Sequence, residues 1–156
     1  MQKNIIILFD KLKSINASDF YTIESDFFST LYSVPNKTSY PFINAFLMVS
    51  SWFGTSERSG VWTFYEATNR SDIQNAVDHL KQNGDTELAN IMESGIHDYQ
   101  DPIYLNDLEY PEDWISGTEV IDKWIGEHRD SLFQWLYEFL ITNEKRIMEC
   151  LDNNRT

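Results

Sequence analysis

The first residues in this chain whose types and spacing could do chemistry are Glu93 and His97, four positions apart, with Asp98 and Asp101 close behind. On a helix, that spacing places a carboxylate and an imidazole one turn apart on one face, an arrangement able to hold a divalent metal. Carboxylate-bridged helical metal centres also need a second helix with matching Glu-x-x-His ligands, and the sequence contains no such motif. We therefore expect no metal and no cofactor at this pair, only a solvated histidine among acids. The other two histidines, His79 and His128, fit no nucleophile or zinc signature and are expected at helix surfaces or at the edge of the core. The six glycines are scattered singly, so there is no glycine-rich loop to cradle a phosphate. With no catalytic set legible, the expectation is a protein that is not an enzyme.

The charge distribution points elsewhere. Residues 82–122 contain eleven acids and neither lysine nor arginine. Residues 1–81 carry eight acids against seven bases, and residues 123–156 carry six against five. The formal net charge of −13 therefore sits almost wholly in about a quarter of the chain. A field concentrated in this way suits a charged partner better than general solubility does. The candidate partner-binding residues are Glu87, Glu93, Asp98, Asp101, Asp107, Glu109, Glu112 and Asp113. The plain alternative is a solvated acidic face with no partner. An acidic surface has no basic patch for phosphates, which argues against direct binding to nucleic acid or to an anionic membrane.

The elements that must position these acids read as helices. At 156 residues the chain suits one compact domain, residues 1–156, and its 23 aromatics (ten Phe, eight Tyr, five Trp) predict an aromatic-rich core. A single cysteine, Cys150, excludes an internal disulfide. No apolar run approaches the ~20 residues needed to span a bilayer, so the expectation is a soluble, cytoplasmic protein. We expect an all-α, multi-helix domain.

In chain order, the spacing predicts a first amphipathic helix over residues 4–15. A second, capped by Ser18, carries Phe20, Ile23, Phe27, Leu31 and Val34 at three- and four-residue steps and ends at Pro35 and Asn36. Pro41 restarts a helix over residues 42–53 that is apolar on most sides and hence central, followed by a polar loop over 55–59. Residues 61–65 form a short aromatic helix, read as core. Ser71 with Gln74, and Ser116 with Glu119, have capping-box spacing. Gly84 is placed to close the helix before it in the left-handed conformation. Asp85 or Thr86 opens a helix to about residue 100, with Leu88, Ile91, Met92, Ile96 and Tyr99 on one side and the acids on the other. An acidic, turn-rich connector over 101–116 carries Tyr104, Tyr110 and Trp114, either packed down or exposed as partner anchors. Val120, Ile121, Trp124, Ile125 and His128 form the next stripe. A last long helix, or broken pair, from Asp130 or Ser131 buries Phe133, Leu136, Leu140, Ile147 and Leu151.

Two stretches carry a family resemblance. One is Glu57-Arg58-Ser59-Gly60-Val61-Trp62-Thr63-Phe64-Tyr65, followed by an Asn and a Ser-started helix ending in Leu80 and Gly84. The other is the Tyr110 connector leading to Trp124, His128 and Phe133. Over about residues 46–133 the chain resembles the small, acidic, all-helical bacterial DNA-mimic proteins of the Neisseria type. It departs from the family's Asn-Gly-Gly-Phe-like run, having Arg58-Ser59-Gly60-Val61 and so only one of the glycines. The resemblance implies a helical fold, a homodimer, and carboxylates that imitate DNA phosphates to occupy a DNA-binding protein; it implies no catalytic residue. Duplex DNA presents one charge per ~1.7 Å of axis, a density that a helical surface can match.

The function expected from the sequence is thus a non-enzymatic protein that binds and blocks a basic, DNA-binding protein. An immunity protein or antitoxin capping a basic nuclease toxin would use the same electrostatics. A metal-dependent helical enzyme using Glu93 and His97 is the competitor from another class.

Overall fold

The computed structural model describes residues 2–96 and 112–153. Among them there is no strand; eight α-helices and two 3-10 turns account for nearly all of the chain. The helices are α1 (Gln2–Ser14), α2 (Glu24–Tyr32), α3 (Pro41–Ser59), α4 (Trp62–Ala67), α5 (Arg70–Gln82), α6 (Thr86–Ser94), α7 (Glu112–Glu127) and α8 (Arg129–Asn153). No helix among the described residues is long and apolar enough to cross a membrane.

Helix α3 is the hub and touches α2, α4, α5, α7 and α8. It is buried nearly all round, from Phe42 through Ile43, Phe46, Leu47 and Val49 to Trp52 and Phe53. Two of the three polar residues on its buried surface find partners outside the helix: the Asn44 amide donates to the Asp72 carbonyl at 2.9 Å, and the Ser50 hydroxyl donates to Glu24. Helix α8, about 37 Å long at 1.5 Å per residue, is the second spine. It packs against α1, the first 3-10 turn, α3 and α7. The core is aromatic as expected, with Phe53 edge-on to Phe133 at 4.8 Å and Phe9 edge-on to Phe27 at 5.1 Å. Such pairs add about 0.5–1.5 kcal/mol each beyond their area.

The expected stripe Phe20, Ile23, Phe27, Leu31 and Val34 is buried throughout, but the helix carrying it is broken. A 3-10 turn over Ala17–Thr22 precedes Ile23, whose φ of −127° and ψ of −1° interrupt the helix before α2 starts. Asn36, which ends this region, takes the left-handed conformation that asparagine tolerates.

The polar loop expected at 55–59 is instead the last turn of α3. Two of its hydroxyls bond back along the helix: Thr55 Oγ1 donates to the Ser51 carbonyl at 2.6 Å and the exposed Ser59 Oγ to the Thr55 carbonyl at 3.5 Å. Side chains satisfied by their own helix need no loop to reach water. Gly60 then ends α3 at φ +91°, a conformation that side chains avoid, and the short aromatic helix α4 follows as expected.

Neither capping box forms. Helix α5 starts after Asn69, so Ser71 lies inside its first turn, and Gln74 reaches Asp78 and Glu93 instead. Helix α7 is already established at Glu112, which puts Ser116 and Glu119 in its interior. The earlier start also changes the buried face, which runs Trp114, Thr118, Ile121, Ile125. Val120, expected inside, is 64% exposed, whereas Trp114, considered as an exposed anchor, is buried. Helix α6 ends at Ser94, short of the expected residue 100, and α8 is one continuous helix from Arg129.

Candidate functional site

The acidic stretch begins at a well-defined turn. Gly84, at φ +88°, follows α5, and its N–H bonds the Lys81 carbonyl at 3.2 Å while the Asp85 N–H reaches back to the Leu80 carbonyl at 3.0 Å. This pair of bonds is the Schellman motif, which glycine at that position permits. It delivers Asp85 to the start of α6. Asp85 is the residue preceding the helix, yet its carboxylate makes no capping hydrogen bond.

The far end of α6 is fixed by a buried polar chain. Trp52 Nε1 donates to the Tyr65 hydroxyl at 2.8 Å, and that hydroxyl donates to the Met92 carbonyl at 2.7 Å. Burial pushes the Tyr65 phenol well above its ordinary range, so it stays a donor. The Tyr65 ring lies so close to Gly95 that no side chain fits there. Residues 61–65 are therefore core, as read, and serve to anchor α6.

Glu87 is exposed on α6, and Glu112 and Asp113 are exposed in the first turn of α7. Among the described residues, neither these three nor the exposed Glu119 makes an ion pair. Glu93 differs: Lys81 Nζ sits 2.7 Å from one carboxylate oxygen, and Gln74 Nε2 donates to the other at 3.3 Å. These two hydrogen bonds, the lysine's first, hold the Glu93 carboxyl below its usual range. Its charge is thus already answered inside the molecule. Asp98, Asp101, Asp107 and Glu109 lie outside the described residues, as do His97, Tyr99, Tyr104 and Tyr110, so the Glu93–His97 pair is described only at its glutamate end. Among the described residues no group of His, Cys, Asp and Glu is arranged to hold a metal ion.

Asp122, the last acid of the stretch, is half-buried and structural. One of its oxygens accepts from Ser56 Oγ and from the Val61 N–H at 2.9 Å, which ties α7 to the junction of α3 and α4.

No family model, characterised protein or solved structure matches the chain. The site is accordingly read from its geometry.

A concavity adjoins the start of α6. A cleft of about 260 Å³ is walled on one side by Asp85, Thr86, Glu87 and Leu88, and on the other by Trp124, His128 and Trp135. Trp124 and His128 stack with ring centres 4.1 Å apart and planes 12° apart. His128 Nδ1 lies 2.8 Å from the Trp124 carbonyl, which orients the ring, and Trp124 leans on the core through Trp52. His79 lies in an adjoining hollow with Asn83, Glu138 and Arg146. Burial, and then Arg146, lower its pKa, while Asp85 acts in the opposite sense. Both histidines are at the core edge, as expected.

Trp135 was not singled out in the sequence, although a signal existed. Trp124, His128, Leu132 and Trp135 keep helical spacing straight across the α7–α8 junction, so one stripe spans two helices.

Proposed function

We propose that this protein is a non-enzymatic binder that occupies and blocks a basic, DNA-binding protein, presenting carboxylates where that partner would otherwise meet DNA phosphates. The observation that carries this reading is the confinement of eleven acids, with no lysine or arginine, to residues 82–122. Glu87, Glu112, Asp113 and Glu119 are exposed and make no ion pair among the described residues, which supports it, because such a carboxylate can meet an external base. The resemblance to the bacterial DNA-mimic proteins points the same way. Glu93, held by Lys81, contributes less than its neighbours.

A basic partner would use the Arg and Lys residues that read phosphate, so affinity depends on long-range attraction between exposed charges. The test is capture of partners from cell extract at low salt on the immobilised protein, with elution by a salt gradient. Affinity should fall steeply between about 50 and 200 mM salt. Charge reversal at Glu87, Glu112 and Asp113, with Asp98, Asp101, Asp107 and Glu109, should weaken binding cumulatively. Reversal of exposed acids outside the stretch, such as Asp10 and Glu149, should do much less. Binding indifferent to salt, or equal effects from the two sets, would leave a plain solvated face.

A further inference from the structure

We propose that the cleft between α6 and the α7–α8 junction receives a single arginine side chain of the basic partner. This rests on the proposed function and names the contact that would give it specificity.

At about 260 Å³ the cleft has room for one long side chain. A shallower depression continues from it along α6, past Asn90 and Ile91 with Trp124 as shared wall, where the backbone of a partner segment can lie.

The walls select for a cation. Trp124 and Trp135 are only half-buried, although tryptophan is large and apolar, and both line the cleft. Indole faces attract cations, and the planar guanidinium also stacks on them, which favours arginine over lysine.

The opposite wall carries Asp85 and Glu87. Neither makes an ion pair among the described residues, and the Asp85 carboxylate is not consumed by capping. An apolar occupant would leave these charges facing it without compensation. The adjoining hollow contains Arg146, held over the Phe42 ring at 4.2 Å and hydrogen-bonded to Asn143 at 3.1 Å. Its positive charge repels a cation at that end, which directs the guest toward Asp85 and Glu87.

The probes are N-acetyl-arginine amide, its neutral isostere N-acetyl-citrulline amide, and N-acetyl-leucine amide. Each is titrated into the full-length protein while the five indole N–H resonances are followed, those of Trp124 and Trp135 being assigned by single Phe substitutions. The arginine probe should shift these two resonances saturably and the other three little. Citrulline should bind about tenfold more weakly, because the cation is what the indoles and carboxylates recognise. Trp135→Leu should abolish the response, and Glu87→Gln, at an exposed position that leaves folding intact, should weaken it up to about fivefold. No saturable shift, an equal response to citrulline, preference for leucine, or indifference to Glu87→Gln would each overturn the proposal. These outcomes are separable from the function itself. Salt-sensitive capture of a basic protein with no arginine response removes only the cleft assignment. An arginine response without any such capture removes the function and leaves the cleft.

Discussion

Replacing Gly95 by alanine adds a methyl group where the Tyr65 ring already lies. The new carbon would come within 3.0 Å of two carbons of that ring and of its hydroxyl oxygen, closer than real side chains come. Gly95 itself has φ −89° and ψ −9°, a conformation alanine accepts readily. With open space, the substitution would therefore stabilise the protein by about 0.4–1 kcal/mol, by restricting the unfolded chain. With the ring in place it should destabilise by about 1–3 kcal/mol, the usual cost of overpacking. The ring cannot retreat freely, because its hydroxyl is held between Trp52 and the Met92 carbonyl. The sign of the effect thus decides the geometry. At roughly 2–4 °C per kcal/mol for a chain of this size, Tm should fall by about 2–12 °C, with a matching drop in the urea midpoint. Gly117→Ala and Gly126→Ala, in α7 with nothing within 4 Å of the added carbon, are the controls and should stabilise by up to about 1 kcal/mol. The cycle with Tyr65→Leu should show coupling above about 0.5 kcal/mol, the larger ring being what the methyl meets. A Gly95→Ala protein as stable as the glycine controls, with additive behaviour in the cycle, would refute the packing of Tyr65 against this turn.

Three further outcomes are expected. Tyr65→Phe should cost about 2–4 kcal/mol in urea unfolding, because it strands the buried Trp52 indole N–H and removes a donor from the Met92 carbonyl. Asp122→Ala should cost about 2 kcal/mol through loss of its bonds from Ser56 and the Val61 N–H, while the folded fraction keeps full partner affinity, which separates this acid from its exposed neighbours. The third concerns Glu24, whose pKa is raised chiefly by burial, with Ser50 opposing and Glu57 adding to the rise. A raised carboxyl pKa means that the stability tied to the protonated form is complete below the unfolded value and lost as pH rises through the folded one. Wild type should therefore lose stability relative to Glu24→Gln on going from about pH 4 to pH 7, seen as diverging urea midpoints; parallel midpoints would contradict it.

What could be read from the sequence was whatever depends on near neighbours. The burial period of Phe20, Ile23, Phe27, Leu31 and Val34, the apolar surround of α3 and the turn at Gly84 each follow from residues within a few positions. What escaped depends on partners remote in the chain or on choices between local hydrogen bonds. Thr55 and Ser59 look like loop residues until their hydroxyls are seen bonding one turn back. Ser71 and Ser116 look like caps because capping spacing does not say where the first turn starts, and the early start of α7 exchanged Val120 for Trp114 in the core. At the site, the acids were legible as a block but not individually. Lys81 quiets Glu93 from twelve positions away, and Ser56 and Val61 claim Asp122 from across the chain. The cleft was hidden for the same reason, since its two walls come from helices separated by the whole of the acidic connector.

Helix α6 is held at both ends, by the Gly84 turn at its start and by Tyr65 gripping Met92 at its finish. A nine-residue helix is too short to persist alone in water. Left loose, it would have to be ordered at the moment of contact, and fixing each backbone residue costs about 1–2 kcal/mol in conformational entropy. Here that loss is settled when the domain folds, so an encounter with Glu87 and the cleft beside it is opposed mainly by the loss of tumbling freedom and the stripping of water. Loosening either anchor should therefore weaken association without removing a single contact.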